Sequence, residues 1–262
     1  MHQKIFQVDS FTNKAFAGNP AAVCILNEPH DEQWMKNIAR EMNLSETAFL
    51  EKQNDGYNLR WFTPTVEVAL CGHATLASAH ILWEEKILKE NEQARFHTLG
   101  GLLTADKKGD WIELDFPIKE ETKVELYPEL ENVLGVKAQY IGKNQFDFLV
   151  EVETEEIVRQ TKPNFTELGK ISVRGVMVTS RSMSNEFDFV SRYFAPGSGI
   201  DEDPVTGSAH ICLAPYWKKK LGKDEMIGYQ ASERGGIVKV RVDGNRVKLG
   251  GQAVTILRCE LL

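Results

Sequence analysis

The chain alternates between short strand patterns and a few helical ones. Residues 237–242 place apolar side chains at every second position, which is typical of a half-buried strand. A helix is predicted over residues 31–42, with Asp31 as its N-cap. Further strands are predicted over residues 4–10, 21–26, 47–52, 57–62, 146–152 and 172–179.

A set of markers recurs about 135 residues further along the chain. Gly72 and Gly207 each precede an apolar helical run. The glycine pairs at 100–101 and 235–236 have the same offset, and the Phe-x-Pro triplets at 62–64 and 194–196 are 132 residues apart. The order and spacing of these markers predict a duplicated unit of strands, a glycine turn, a helix and a hairpin.

The repeat predicts two halves. We expect residues 1–117, joined by a C-terminal strand near 254–262, to form the N-terminal half. Residues 118–253 are then the C-terminal half. Each half is long enough to bury a core of its own.

Composition narrows the possible functions. The 262 residues carry a net charge of −7, which argues against non-specific nucleic-acid binding. No stretch approaches the roughly 20 apolar residues of a membrane helix, and residues 1–6 lack a leader pattern. We therefore expect a cytoplasmic protein. The widely spaced Cys24, Cys71, Cys212 and Cys259 suggest neither a zinc site nor a disulfide framework.

The two predicted helix starts are candidate anion sites. A helix N-terminus presents unpaired N–H groups, and a preceding glycine lets a ligand approach the backbone closely. Gly72 and Gly207 both occupy such positions. One glycine alone indicates only a turn, whereas two related copies favour a pair of carboxylate-binding sites that face a cleft between the halves.

Two acidic residues are candidates for acid–base chemistry. Glu46 lies between Leu44 and the apolar pair 48–49, where partial desolvation would raise its pKa. The residues alone nevertheless favour a surface glutamate on an edge strand. Asp203 precedes Pro204, which favours an extended or turn conformation, and the simpler interpretation is an N-cap or a solvated loop.

The residues around the first glycine also carry candidate chemistry. His73 is able to bind a substrate or move a proton, or else to bond a backbone carbonyl. His73 and His80 are seven residues apart, which does not match the four-residue spacing of helical zinc ligands. Cys71 stands at a helix start, where thiol pKa values fall, while its counterpart Thr206 cannot form a thiolate.

The motifs together resemble the phenazine-biosynthesis (PhzF-like) isomerase family, in that family's order. They are QVDSFT at 7–12, FAGNPAAV at 16–23, LSETAF at 44–49, FTP at 62–64, CGHAT at 71–75 and DPVTGSA at 203–209. The resemblance implies the diaminopimelate epimerase-like fold. In that α+β fold, two pseudo-symmetric halves each wrap a curved mixed sheet around a central helix, here starting near Ala74 and Ser208.

The resemblance also implies roles for individual residues. Glu46 matches the general acid/base, and His73, Asp203 and Ser208 match residues that bind the substrate and assist the proton shift. The predicted substrate contacts are Asn19, Ser45, Cys71, Gly72, Thr206 and Gly207. A homodimer that acts on a small carboxylate, with no metal or organic cofactor, is implied as well.

Three functions stay open from the sequence. The first is a cofactor-independent isomerase that uses Glu46, and the second is a one-base racemase or epimerase that uses Cys71. The third is a binding protein that has lost turnover. Related epimerases use one cysteine in each half, so Thr206 argues against a two-thiol mechanism. Cys71 differs from the small residue expected in the phenazine enzyme, which leaves the substrate open.

Overall fold

The computed structural model describes residues 3–125 and 127–261. The chain forms two compact units, Met1–Phe116 with Gly250–Leu262, and Pro117–Leu249. Residues 1, 2, 126 and 262, which the predicted halves and the predicted N-terminus include, lie outside the described residues.

The first unit is built from most of the first 117 residues. In chain order its elements are β1 (Gln3–Ser10), β2 (Asn19–Ile25), α1 (Glu32–Met42), β3 (Glu46–Gln53), β4 (Gly56–Phe62), β5 (Glu67–Val68), α2 (Gly72–Glu84), β6 (Ala94–Thr98), β7 (Gly101–Lys108) and β8 (Trp111–Pro117).

The second unit follows, and the chain then returns to the first. The elements are β9 (Thr122–Lys123), α3 (Pro128–Leu134), β10 (Tyr140–Lys143), β11 (Asp147–Glu151), α4 (Glu155–Gln160), α5 (Phe165–Leu168), β12 (Gly175–Arg181), β13 (Phe189–Ala195), a 3-10 turn at Pro196–Ser198, β14 (Ile200–Glu202), α6 (Gly207–Leu221), β15 (Glu225–Gln230), β16 (Gly236–Asp243) and β17 (Arg246–Gly251). Strand β18 (Ala253–Leu261) pairs antiparallel with β1.

Strand pairing repeats in the two units. In the first, β1–β2 is antiparallel, β2–β3 parallel, β3–β4 antiparallel, β4–β6 parallel and β6–β7 antiparallel. In the second, β10–β11, β11–β12, β12–β13, β13–β15 and β15–β16 follow the same alternation. The predicted α+β class with two similar mixed sheets is therefore confirmed.

Each sheet covers one buried helix. Helix α2 buries almost every side chain from His73 to Trp83, and α6 does so from Ala209 to Trp217. A helix that is apolar on all sides is a core element, because no face of it needs water. The predicted central helices are confirmed, although they begin at Gly72 and Gly207, slightly before the predicted Ala74 and Ser208.

The other face of the first sheet is covered by α1. Asp31 caps this helix by accepting a hydrogen bond from the Trp34 amide at 2.8 Å, which confirms the predicted N-cap. Met35 and Ile38 pack against alternate residues of β2. In the second unit, α3, α4 and α5 supply the apolar cluster on β11 and β12.

Strand β3 has a neighbour on each side. It pairs with β2 and with β4, so the interpretation of Glu46 as a surface residue of an edge strand is wrong. Parallel pairing with β2 brings the start of β3 beside that strand.

Among the described residues, no helix combines the length and apolar character needed to cross a bilayer.

Candidate active site

Several element ends converge in the first unit. Glu46, the first residue of β3, pairs with Ala21 of β2, and Asn19, the first residue of β2, pairs with Ser10. The Ser10 hydroxyl donates a hydrogen bond of 2.8 Å to the carbonyl of His73. These contacts hold the start of β3 and the start of α2 at the same end of the unit.

The first turn of α2 lacks a side-chain cap. Cys71 is its N-cap residue, with an extended backbone, and no side chain accepts a hydrogen bond there. The Thr75 hydroxyl donates to the Cys71 carbonyl at 2.5 Å, which fixes the entry of the chain into the helix. The first N–H groups of α2 are therefore available to an anion.

Three predicted side chains meet at this helix start. Sγ of Cys71 lies 3.5 Å from Nδ1 of His73, and Nε2 of His73 lies 3.3 Å from Oε2 of Glu46. The His73 side chain is 6% exposed and that of Glu46 is 19% exposed. Among the described residues, Nε2 has no well-aligned hydrogen-bond partner. Nδ1 faces a sulfur, so the alternative of a histidine bonded to a carbonyl is not observed.

Burial keeps the imidazole of His73 neutral. Desolvation lowers its pKa to about 3, from an ordinary value of 6.5. At physiological pH the ring therefore has one N–H donor and one acceptor nitrogen. It is suited to hydrogen bonding in both directions and unsuited to carrying a positive charge.

The same three side chains are of types that bind zinc, and they lie close enough together to be tested as a metal centre. Cys71 approaches Nδ1, however, whereas Glu46 approaches Nε2. The two contacts are therefore made with different nitrogens of the imidazole ring.

The second unit has a related helix start. Thr206 is the N-cap residue of α6, again without a side-chain cap, and Gly207 begins the helix. The Thr206 hydroxyl donates to Oδ2 of Asp203 at 2.6 Å. Gln230 accepts from the Thr206 amide at 2.9 Å and donates to the Asp203 carbonyl at 2.7 Å. Residues 203–206, which lead into α6, are therefore fixed by hydrogen bonds to Gln230 and by the bond between Thr206 and Asp203.

The structure thus groups the predicted residues by unit. The first unit contains Asn19, Ser45, Glu46, Cys71, Gly72 and His73, and the second contains Asp203, Thr206, Gly207 and Ser208. Ser45 is half-buried directly before β3, and Ser208 is half-buried as the second residue of α6. Their positions follow from where β3 and α6 begin.

Two supporting residues were missed from the sequence. Gln230 is fully buried at the end of β15, in phase with the buried Met226 and Gly228. A glutamine at an apolar position of a strand is the signal that would have indicated a structural hydrogen-bond role. Ser10 is also fully buried, but its neighbours in sequence give no comparable signal.

A cavity of the first unit lies away from these residues. It has a volume of about 470 Å³, and His80, Trp83 and Lys107 are among its lining residues. Its lining does not include Glu46, Cys71 or His73. Burial lowers the pKa of His80, and its Nε2 lies 3.1 Å from the Thr255 hydroxyl.

The fold and the two helix starts define a diaminopimelate epimerase-like α+β protein. A structure of a probable proline racemase from Agrobacterium radiobacter shares this fold, with a TM-score of 0.65 at 12% identity over 99% of this chain and 93% of the other. The chain belongs to the PhzC-PhzF family, described as phenazine biosynthesis-like protein, whose model matches residues 8–259.

Two relatives match over the full length. An "uncharacterized isomerase" of Halalkalibacterium halodurans is 55% identical, over 100% of this chain and 99% of its own. The crystal structure of a PhzF-family phenazine biosynthesis protein from Enterococcus faecalis has a TM-score of 0.96 at 41% identity, with 100% of both chains covered. The chain is therefore similar over its full length to a protein named as an isomerase.

Proposed function

We propose that this protein is a cofactor-independent isomerase that moves a proton on a small carboxylate substrate. The observation that carries the proposal is the position of Glu46 beside a neutral His73 at the uncapped start of α2. This places a carboxylate acid/base next to a set of backbone N–H donors. Family membership supports the same reaction class.

The chemistry follows from the available groups. Glu46 accepts a proton from a carbon next to the substrate's carboxylate or carbonyl group. The negative charge that develops on oxygen is stabilised by the first N–H groups of α2, near Gly72. His73 donates or accepts a hydrogen bond without becoming charged, since burial disfavours the imidazolium.

Residues of the second unit complete the proposal. Asp203 and Ser208 bind the polar groups of the substrate, and the N–H groups near Gly207 provide a second anion site. The prediction that one molecule engages both helix starts is part of this proposal. It is supported by the matching uncapped starts of α2 and α6.

The remaining features of the proposal come from the family resemblance. We propose a cytoplasmic homodimer that takes a small carboxylate and needs neither a metal nor an organic cofactor. Asn19 and Ser45 would contact the substrate from the starts of β2 and β3, together with Cys71 and Thr206.

A one-base racemase or epimerase is a second candidate. Cys71 lies 3.5 Å from a neutral imidazole at a helix start, which is an environment that favours a reactive thiol. Thr206 occupies the matching N-cap in the second unit, so only one thiol is available at the two starts. This mechanism predicts complete loss of turnover when Cys71 is replaced by alanine.

A substrate screen tests the proposed reaction class. Cyclic and linear amino acids and hydroxy acids are incubated with the protein in heavy water, and deuterium incorporation is measured by mass spectrometry. We expect incorporation at a carbon next to the carboxylate or carbonyl of at least one compound. Loss of that incorporation in Ser208→Ala would link the second unit to the reaction. A panel that binds the protein but never exchanges hydrogen would contradict the proposal and favour a binding protein.

A further inference from the structure

We propose that Cys71, His73 and Glu46 form a neutral proton relay in which His73 exchanges its tautomer, so that the thiol and the carboxylate act as one acid/base unit. Its use in catalysis rests on the proposed function. The relay itself is a property of the protein without substrate, and it is tested as such.

The relay follows from which nitrogen each partner approaches. Nδ1 of His73 faces the Cys71 sulfur and Nε2 faces the Glu46 carboxylate. Because a carboxylate only accepts hydrogen bonds, the proton of the neutral ring belongs on Nε2. Nδ1 is then the acceptor for the Cys71 thiol. Among the described residues Nε2 has no well-aligned partner, and a small turn of the Glu46 carboxylate, 3.3 Å away, would supply one.

A proton moves through this arrangement without charging the ring. The S–H proton passes to Nδ1 while the Nε2 proton passes to an oxygen of Glu46. The products are a thiolate, a neutral His73 with its proton on Nδ1, and a protonated Glu46. The total charge of the three groups is −1 before and after the transfer.

The surroundings favour this concerted exchange over a stepwise one. Burial disfavours the imidazolium form of His73, and a stepwise transfer would pass through that form. Tautomer exchange avoids it. The thiolate forms at the N-cap of α2, where the helix dipole favours negative charge.

Two charged side chains on the strands packed against α2, Asp9 and Arg258, have partners elsewhere. Strand β2 has no charged residue. On β1, Asp9 is buried and its Oδ2 accepts from the Phe16 amide at 2.7 Å. On β18, Arg258 pairs with Glu85, beyond the C-terminal end of α2. Glu46 is thus the carboxylate that serves His73.

The thiol and the carboxylate that the relay couples have separate places in the proposed reaction. Glu46 removes a proton from one position of the substrate, and the Cys71 thiol delivers a proton to another position or to the opposite face. These two steps leave a protonated Glu46, a thiolate and a His73 that still carries its proton on Nε2. Glu46, which is 19% exposed, then releases its proton to solvent and the thiolate takes one up, which restores the starting state.

The reactivity of Cys71 toward iodoacetamide tests the relay without substrate. The measurement uses a Cys259→Ser background because Cys259 is exposed, whereas Cys71, like Cys24 and Cys212, is buried. The rate at Cys71 is followed by peptide mass spectrometry. If His73 passes the thiol proton to Glu46, Glu46→Gln slows alkylation at least about tenfold. Simple charge repulsion predicts the opposite, because removal of a nearby negative charge would speed thiolate formation.

A matched control and a second readout complete the test. Glu51→Gln, on the same strand, should leave the rate unchanged. An increased rate in Glu46→Gln, or an unreactive Cys71 in the parent protein, would overturn the proposal, since a substrate must also reach this sulfur. Nitrogen NMR of labelled histidine should show His73 as the neutral Nε2–H tautomer at neutral pH, and an Nδ1–H or doubly protonated ring would contradict the relay. Neither measurement depends on whether the protein is an isomerase.

Discussion

Oε2 of Glu46 lies 3.3 Å from Nε2 of His73, which brings the first residue of β3 to the first turn of α2. The two residues are 27 positions apart in the chain and are joined by the packing of the sheet on its central helix. Because the imidazole is buried and the carboxylate is partly exposed, we expect this contact to affect both the stability of the fold and catalysis.

The buried His73 should make the first unit sensitive to acid. Its pKa is lowered by burial to about 3, so the unfolded chain binds more protons than the folded one between about pH 3 and 6.5. Stability from this group is complete above pH 6.5 and falls as the pH falls. Between pH 7 and 5 the loss should be about 2 kcal/mol, at about 1.4 kcal/mol per pKa unit.

The comparison of pH 7 with pH 5 is made by urea unfolding of the parent protein and of His73→Gln. The variant should lose about 2 kcal/mol less on acidification, because it lacks this titrating group. His210 is also buried with a lowered pKa, but it is present in both proteins and its effect cancels. Equal acid sensitivity would show that His73 is not held neutral.

The turn before Asn19 should tolerate only glycine. Gly18 has φ +66, and a Cβ there would lie 2.1 Å from the Ser10 carbonyl oxygen. Gly109 has φ +62 with open space around it, so it is a control for the backbone strain alone. We expect Gly109→Ala to cost about 1 kcal/mol, and Gly18→Ala to cost about 2 kcal/mol more because the Ser10 backbone must move.

Thermal and urea unfolding of the two alanine variants measure this difference. Because Ser10 also bonds the His73 carbonyl, Gly18→Ala should lower activity as well as stability. Equal stability of the two variants would mean that the Gly18 turn rearranges freely.

Gln230 should hold the entry to α6. Gln230→Leu keeps the volume but removes the bonds to the Thr206 amide and the Asp203 carbonyl. Loss of buried hydrogen bonds with unsatisfied partners should destabilise the second unit by about 2–4 kcal/mol. Gln160→Leu, at an exposed position of α4, should change stability by less than about 0.5 kcal/mol. Hydrogen exchange at the first turn of α6 reports the effect locally, and unchanged protection there would count against it.

Cys71 variants should separate the isomerase from the one-base racemase. In the relay, Cys71→Ala removes proton delivery but keeps proton removal by Glu46, so deuterium exchange continues while turnover falls about tenfold to hundredfold. Mass spectrometry of recovered substrate and product measures both rates. If exchange and turnover disappear together, the thiol is the base and the racemase interpretation replaces the isomerase.

The sequence predicted the parts of this protein that depend on local patterns. The glycine and apolar runs at Gly72 and Gly207 indicated the two central helices. Strand patterns indicated β1, β2, β3, β4, β11, β12 and β16. It could not show that β3 is an interior strand, since pairing with β2 joins residues 25 positions apart, such as Ala21 and Glu46. For the same reason, the residues around Glu46 in the sequence favoured a surface position on an edge strand.

The same distinction between local sequence patterns and long-range contacts applies to the candidate site. The resemblance selected Glu46 and His73, but their contact with Cys71 and the direction of each ring nitrogen required coordinates. Gln230 lay outside every motif, and its role appears only when β15 meets the start of α6. The predicted halves at 1–117 with 254–262 and at 118–253 stay a prediction of domain organisation, as do the substrate roles of individual residues.

The most direct test of the account is the turnover number of Glu46→Gln on a substrate identified by hydrogen exchange. We predict a folded protein with unchanged unfolding temperature and a turnover lower by about 10²- to 10⁴-fold, while Glu51→Gln retains full activity. A Glu46→Gln protein that turns over at the parent rate would contradict the central claim that Glu46 moves the proton.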